Sequence, residues 1–153
     1  MTTSLFTKLN LKAQPEILVL NAPASFAPEL AALKGVRVLR ERGRSRRAQF
    51  ALAFATSRAE LDTLSRELAQ RADGDAILWF AYPKGTSKRY TCDFNRDSGW
   101  DVIRNAGFDS VRQVSIDGDW SALRFRRREY IAGVPQADAR KAPAAGDRGK
   151  SAR

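Results

Sequence analysis

The densest group of anion-binding side chains in the sequence is Tyr82-Pro-Lys-Gly-Thr-Ser-Lys88, continued by Arg89. Pro83 and Gly85 set a turn. Lys84, Thr86, Ser87 and Lys88 then bring ammonium groups and hydroxyl donors to one spot, a chemistry that suits a phosphate or a carboxylate. The segment is not a P-loop, because the GxxxxGK[ST] spacing is missing. The competing reading is an ordinary polar loop whose hydroxyls cap its own backbone. A second concentration is of arginine: Arg37, Arg40, Arg42, Arg44, Arg46 and Arg47, offset by Glu41, with a further run at Arg124, Arg126, Arg127 and Arg128. Such clusters draw anionic partners through long-range potential, so Arg42, Arg44, Arg46 and Arg47 are candidate contacts to nucleic acid or another anion. Arg outnumbers Lys 20 to 7 and alanine is abundant, as in a GC-rich genome, so the basicity also has a purely compositional reading.

Several chemistries are excluded. The 153 residues include no histidine, which removes imidazole bases, Ser-His-Asp and Cys-His nucleophile systems and histidine-ligated metals. The single cysteine, Cys92, removes intramolecular disulfides and Cys-rich zinc sites. With no histidine to activate it, Cys92 reads as a structural thiol, although Lys88 and Arg89 are near in sequence. Asp93, Asp97 and Asp101 recur every four residues, a spacing that can gather carboxylates for a divalent ion or proton exchange. Helix-terminus electrostatics explains them better, with Asp97 and Ser98 capping a helix, and no metal site is assigned. Asp117 and Asp119 read as turn residues. Trp79 reads as core. Trp100 and Trp120 lie near element ends, where an indole either stacks on a ligand ring or packs over the edge of the core.

The elements that position these residues follow from hydropathy. Residues 16–20, 49–54 and 76–81 are short continuous apolar runs, the pattern of strands covered on both faces. Residues 36–40 form a weaker edge strand. Residues 111–117 and 121–128 form two more, joined by the turn residues Asp117-Gly118-Asp119-Trp120, and in the second Leu123 and Phe125 alternate with Arg124 and Arg126. Ser57-Arg-Ala-Glu60 is a capping box opening a helix with Leu61, Leu64 and Leu68 on one face, stopped by Gly74. A shorter helix runs from Ser25 or Phe26 to Leu33, and a third covers Ser98 to Asn105.

Apolar strands alternating with helices predict a three-layer α/β fold: a Rossmann-like sheet of about six strands, mostly parallel, closed by a C-terminal antiparallel hairpin. Residues 41–48 are too few for a crossover helix. Either the second strand is antiparallel, or the arginine segment crosses in extended form. One domain over 1–132 is expected, followed by a disordered basic tail over 133–153 rich in Ala, Gly and Pro. The longest apolar run has seven residues, 76–82, against about 20 for a bilayer span. The N-terminus lacks a signal-like apolar stretch, so a soluble, cytoplasmic protein without membrane partners is expected.

This sheet resembles the class I methyltransferase fold with one strand and its helix missing. More closely, Leu18-Val-Leu-Asn-Ala-Pro23, Trp79-Phe-Ala-Tyr-Pro-Lys-Gly-Thr-Ser-Lys88, Arg96-Asp-Ser-Gly-Trp100, Val111-Arg-Gln-Val-Ser-Ile-Asp117 and Trp120-Ser-Ala-Leu-Arg-Phe-Arg126 resemble a bacterial family of small Rossmann-like domains. The likeness spans residues 5–131 and implies a fold without an assigned activity. The methyltransferase comparison has two markers. The loop after the first strand, Asn21-Ala-Pro-Ala-Ser25, has no glycine, and Pro23 removes an amide donor. Glu41 stands where an acid holds ribose hydroxyls, but between Arg40 and Arg42. No cofactor is therefore assigned. Ligands of open α/β sheets bind beyond the carboxyl ends of the strands. Accordingly Asn21, Ser57, Lys84, Thr86, Ser87, Lys88 and Trp100 are the candidate rim of a non-catalytic domain binding an anionic small molecule or partner. The alternatives are a degenerate S-adenosylmethionine or nucleotide enzyme, and a basic protein associating non-specifically with nucleic acid.

Overall fold

A computed structural model of the chain describes residues 4–40 and 47–131. Glu41, Arg42, Arg44, Arg46 and the expected tail lie outside the described residues. In chain order the elements are α1 (Ser4–Lys8), β1 (Glu16–Leu20), a 3-10 turn (Ala24–Phe26), α2 (Ala27–Ala31), β2 (Arg37–Leu39), β3 (Ala48–Phe54), α3 (Arg58–Arg71), β4 (Ala72–Pro83), α4 (Asp101–Asn105), β5 (Phe108–Ser115), β6 (Trp120–Arg127) and a 3-10 turn (Arg128–Tyr130). They build one six-stranded sheet in the order β2-β1-β3-β4-β6-β5. β1 to β4 are mutually parallel, and β6 pairs antiparallel with both β4 and β5. This is the expected mostly parallel α/β sheet with a terminal hairpin.

The apolar runs are continuous because both faces of the sheet are covered. On one face Leu18, Leu20, Ala51, Ala53, Leu78 and Phe80 meet Leu61, Leu64 and Leu68 of α3. The small Ala51 and Ala53 let that helix lie close to the strands. On the other face the bulkier Phe50, Leu52, Phe54 and Trp79 meet Phe6, Leu9, Phe26 and Leu30 from α1, the first 3-10 turn and α2. Trp79 is fully buried there, and its indole N–H donates to the Leu9 carbonyl at 2.8 Å.

Of the two alternatives for the second strand, the parallel one holds: β2 is parallel to β1, and β3 lies on the opposite side of β1. Three other points differ from expectation. α3 ends at Arg71, and the chain enters β4 directly. Gly74, at φ 59°, falls inside that strand near a register irregularity and does not stop the helix. α4 starts only at Asp101, with Trp100 at its N-cap and no side-chain cap, so Asp97 and Ser98 do not cap it. Finally, α1 precedes the first strand; its apolar Leu5, Phe6 and Leu9 fold back onto the sheet. No helix among the described residues is long and apolar enough to cross a membrane.

Candidate functional site

The parallel strands β1, β3 and β4 all deliver their carboxyl ends to one edge, and the order of the sheet reverses between β1 and β3. In open α/β sheets that crevice is where ligands sit. Asn21 leaves β1 there with φ 61°, a left-handed conformation that asparagine tolerates better than other side chains. Its Nδ2 donates to the Phe54 carbonyl at 3.3 Å, tying the end of β1 to the end of β3. Ser57 follows as the N-cap of α3, accepting from the Glu60 amide at 3.1 Å. The Glu60 carboxylate reaches back one residue further than a standard capping box, to the amide and hydroxyl of Thr56. The next amide of the same helix, Arg58, donates to Asp93 Oδ1, and the Arg58 guanidinium lies 3.8 Å from Asp101. The helix end is thus occupied by the chain's own acids. Asp93, Asp97 and Asp101 are not gathered as ligands. Asp93 binds α3, Asp101 faces Arg58, and Asp97 lies in a turn where its amide donates to the Asn95 side chain. Among the described residues no group of three acids or thiols is placed to hold a metal ion.

The Lys84 segment lies at the same edge, one strand over, and is fastened to the β5–β6 hairpin. The Lys84 amide donates to the Asp119 carbonyl at 2.8 Å. The Ser87 hydroxyl donates to Asp119 Oδ1 at 2.9 Å and accepts from the amides of Arg89 and Tyr90. Arg89 stands 3.9 Å from the other Asp119 oxygen. Asp117 Oδ1 in turn accepts from the amides of Asp119 and Trp120, which shapes the hairpin turn. Ser87 is thereby a structural hydroxyl, while Thr86 and Lys88 are exposed. Lys84 is different. Its ammonium group donates to the Ser115 hydroxyl at 2.7 Å, and the Lys8 ammonium donates to the Ser115 backbone carbonyl at 2.9 Å. Two positive charges far apart in sequence converge on one neutral residue.

Lys8 and Ser115 were not among the residues selected from sequence. The apolar spacing of Leu5, Phe6 and Leu9 carries the helical signal that would have placed Lys8. Trp120 adds a third feature. It pairs with Pro83 across the ladder, is buried under Phe54 and Tyr90, and its indole N–H has no partner among the described residues.

Trp100, expected on the rim, belongs to the core. It is 2% exposed, its ring packs on Phe80, Tyr82, Phe94 and Phe125, and its N–H donates to the Asn95 carbonyl. A ligand ring would have to displace those contacts. Of the candidate arginines only Arg47 is described. Its guanidinium donates to the carbonyls of Gln70 and Ala72, closing the C-terminal end of α3. Burial pushes the Cys92 thiol pKa up, which lowers its thiolate fraction and weakens it as a nucleophile.

The strand order, the parallel core and the antiparallel hairpin define a methyltransferase-like Rossmann fold. No protein-family profile matches the chain, and no curated protein is similar to it. Solved structures are. An S-adenosylmethionine-dependent methyltransferase from Aquifex aeolicus superposes with a TM-score of 0.57 at 14% identity, over 80% of this chain and 87% of that one. The N-methyltransferase NodS from Bradyrhizobium japonicum gives 0.51 at 11%, over 79% and 91%. The [4+2]-cyclase SpnF gives 0.56 at 11%, over 80% and 78%. At these identities the likeness is one of fold, and SpnF is described by a reaction other than methyl transfer.

Proposed function

We propose that this domain is non-catalytic and holds an anionic small molecule, or an anionic group of a partner, at the carboxyl edge of its sheet. Lys84 is the principal contact and Lys8 stands beside it. The observation that carries this reading is the convergence of the two ammonium groups on Ser115, which offers them only a hydroxyl and a carbonyl. An oxyanion placed between them gains two charge-assisted hydrogen bonds. Asn21, Ser57, Thr86 and Lys88 form the surrounding rim.

The test is thermal-shift and calorimetric titration with inorganic phosphate, adenosine monophosphate and S-adenosylmethionine at millimolar concentration. Phosphate-bearing ligands should raise the midpoint of the wild-type protein. Lys84→Ala should remove that shift and Lys8→Ala should reduce it, with the far-UV spectrum unchanged. Equal binding by Lys84→Ala overturns the proposal. A second reading, a degenerate S-adenosylmethionine site, is favoured by the left-handed Asn21, which keeps after β1 the backbone conformation glycine usually supplies there. Under that reading S-adenosylmethionine alone gives the shift, and Lys84→Ala leaves it intact.

A further inference from the structure

The amino-edge half of the β5–β6 hairpin carries a second set of positive charges with a different character. Residues alternate across the faces of β6: Leu123 and Phe125 enter the core beneath α3, so Arg124 and Arg126 stand on the α1 side. Arg112 is the β5 partner of Arg124. Arg124 and Arg126 are about 7 Å apart along the strand, and Arg112 is about 5 Å across the ladder. Arg126 forms a bidentate pair with Asp75, at 2.8 and 2.7 Å. Arg112 and Arg124 form no salt bridge or side-chain hydrogen bond among the described residues, Asp75 acts on Arg124 only through its charge, and the Arg124 Nε is buried and unsatisfied. Desolvation, with Arg126 and Arg112 adding repulsion, pushes the Arg124 pKa below its ordinary value. Three guanidinium groups thus share one carboxylate.

We infer that this face, with Arg112, Arg124 and Arg126 in a row, binds the phosphate backbone of single-stranded nucleic acid. The row has the dimensions of a contact to neighbouring phosphates of one strand. Guanidinium forks match phosphate oxygens. The row itself has no apolar centre of the kind a protein interface builds, which favours a phosphate backbone over an acidic protein. This contact is separate from the Lys84 site and from the arginine segment that the sequence brings forward first.

The experiment is fluorescence anisotropy of the full chain with a labelled oligothymidylate over about 50 to 200 mM salt. Each phosphate contact contributes about 0.7 to the slope of log affinity against log salt for single strands. Arg112→Gln/Arg124→Gln should therefore lower the slope by about 1.4. Across that range the wild-type affinity should fall about sevenfold more than the variant's. Arg112→Gln alone, at an exposed position, should lower the slope by about 0.7, which keeps the test decisive if the double variant does not fold. Absence of wild-type binding overturns the inference. So does a slope unchanged in both arginine variants, or equally tight binding of polyglutamate lost in the same variants, which would mark an acidic-protein surface instead.

Discussion

The two ends of the sheet are built to different standards. At one end β2 is three residues long, pairs only with β1, and exposes or half-buries all its side chains. At the other, β4 runs for twelve residues and β5 and β6 for eight each. There a cluster of Phe80, Tyr82, Phe94, Trp100 and Phe125 fills the space under α3 and α4. The thin end carries the loop of Asn21. The thick end carries Lys84, Ser115 and the arginine row. A binding group is only as well placed as the element beneath it. Lys84, Ser115 and the arginine row accordingly rest on or beside the longer strands.

The sharpest way to break that contrast is to remove a ring from the thick end. Phe80 is fully buried and touches both Trp100 and Phe125. Phe80→Ala should destabilise the fold by about 3–5 kcal/mol in urea titrations. Val38→Ala, in half-buried β2, should cost about 1 kcal/mol or less. Comparable losses at the two positions would show that β2 is as much a part of the cooperative core as β4.

Glycines sharpen the same comparison at smaller scale. Gly99 has φ 98°, and a Cβ there would lie 2.8 Å from the Phe94 Cβ. Gly99→Ala adds a collision inside the aromatic cluster to an unfavourable backbone, and should cost about 2–3 kcal/mol. Gly35, on the approach to β2, has φ 71° with nothing within 4 Å of its Cβ position. Gly35→Ala should cost about 1 kcal/mol, the backbone term alone. Chemical denaturation of the pair measures the difference. Equal losses would mean the loop carrying Phe94 yields freely.

Much of this was legible in the residues. Continuous apolar runs at 16–20, 49–54 and 76–81 could only be strands covered on both faces, and Asp117-Gly118-Asp119 could only be a turn. Ser57 and Glu60 marked the start of α3. What could not be read was geometry created by distant pairing. Lys8 and Lys84 are 76 positions apart in sequence, and nothing local says that both reach Ser115. Trp100 lies at the end of a loop and before a short helix, so its burial depends on Phe80 and Phe125, which arrive from two strands. Arg47 looked like a free cation within a basic run, yet it caps a helix end contributed 25 residues later. Local chemistry names the groups, and only the sheet order decides which of them meet.

The smallest expected effect probes the polar margin of the thick end. Tyr82 is buried beside Phe94 and Trp100, and its hydroxyl accepts a hydrogen bond from Gln113 Nε2 at 3.0 Å. Burial raises the phenol pKa above its ordinary value, more than the nearby Arg96 charge lowers it. The folded state therefore holds this proton more tightly than the unfolded chain. That contribution is present in full below the ordinary tyrosine pKa of about 10, and is lost as pH rises through the folded-state value. Cys92, raised for the same reason, acts in the same direction from a lower starting point. Stability should thus decline on the alkaline side, above about pH 9. Tyr82→Phe should flatten the upper part of that decline, at the expense near neutrality of about 1 kcal/mol for the lost Gln113 hydrogen bond. Thermal melts of wild type and variant across the alkaline range decide it. An identical alkaline slope in Tyr82→Phe would show that the phenol titrates with water at its side, and that the thick end is open at the carboxyl edge.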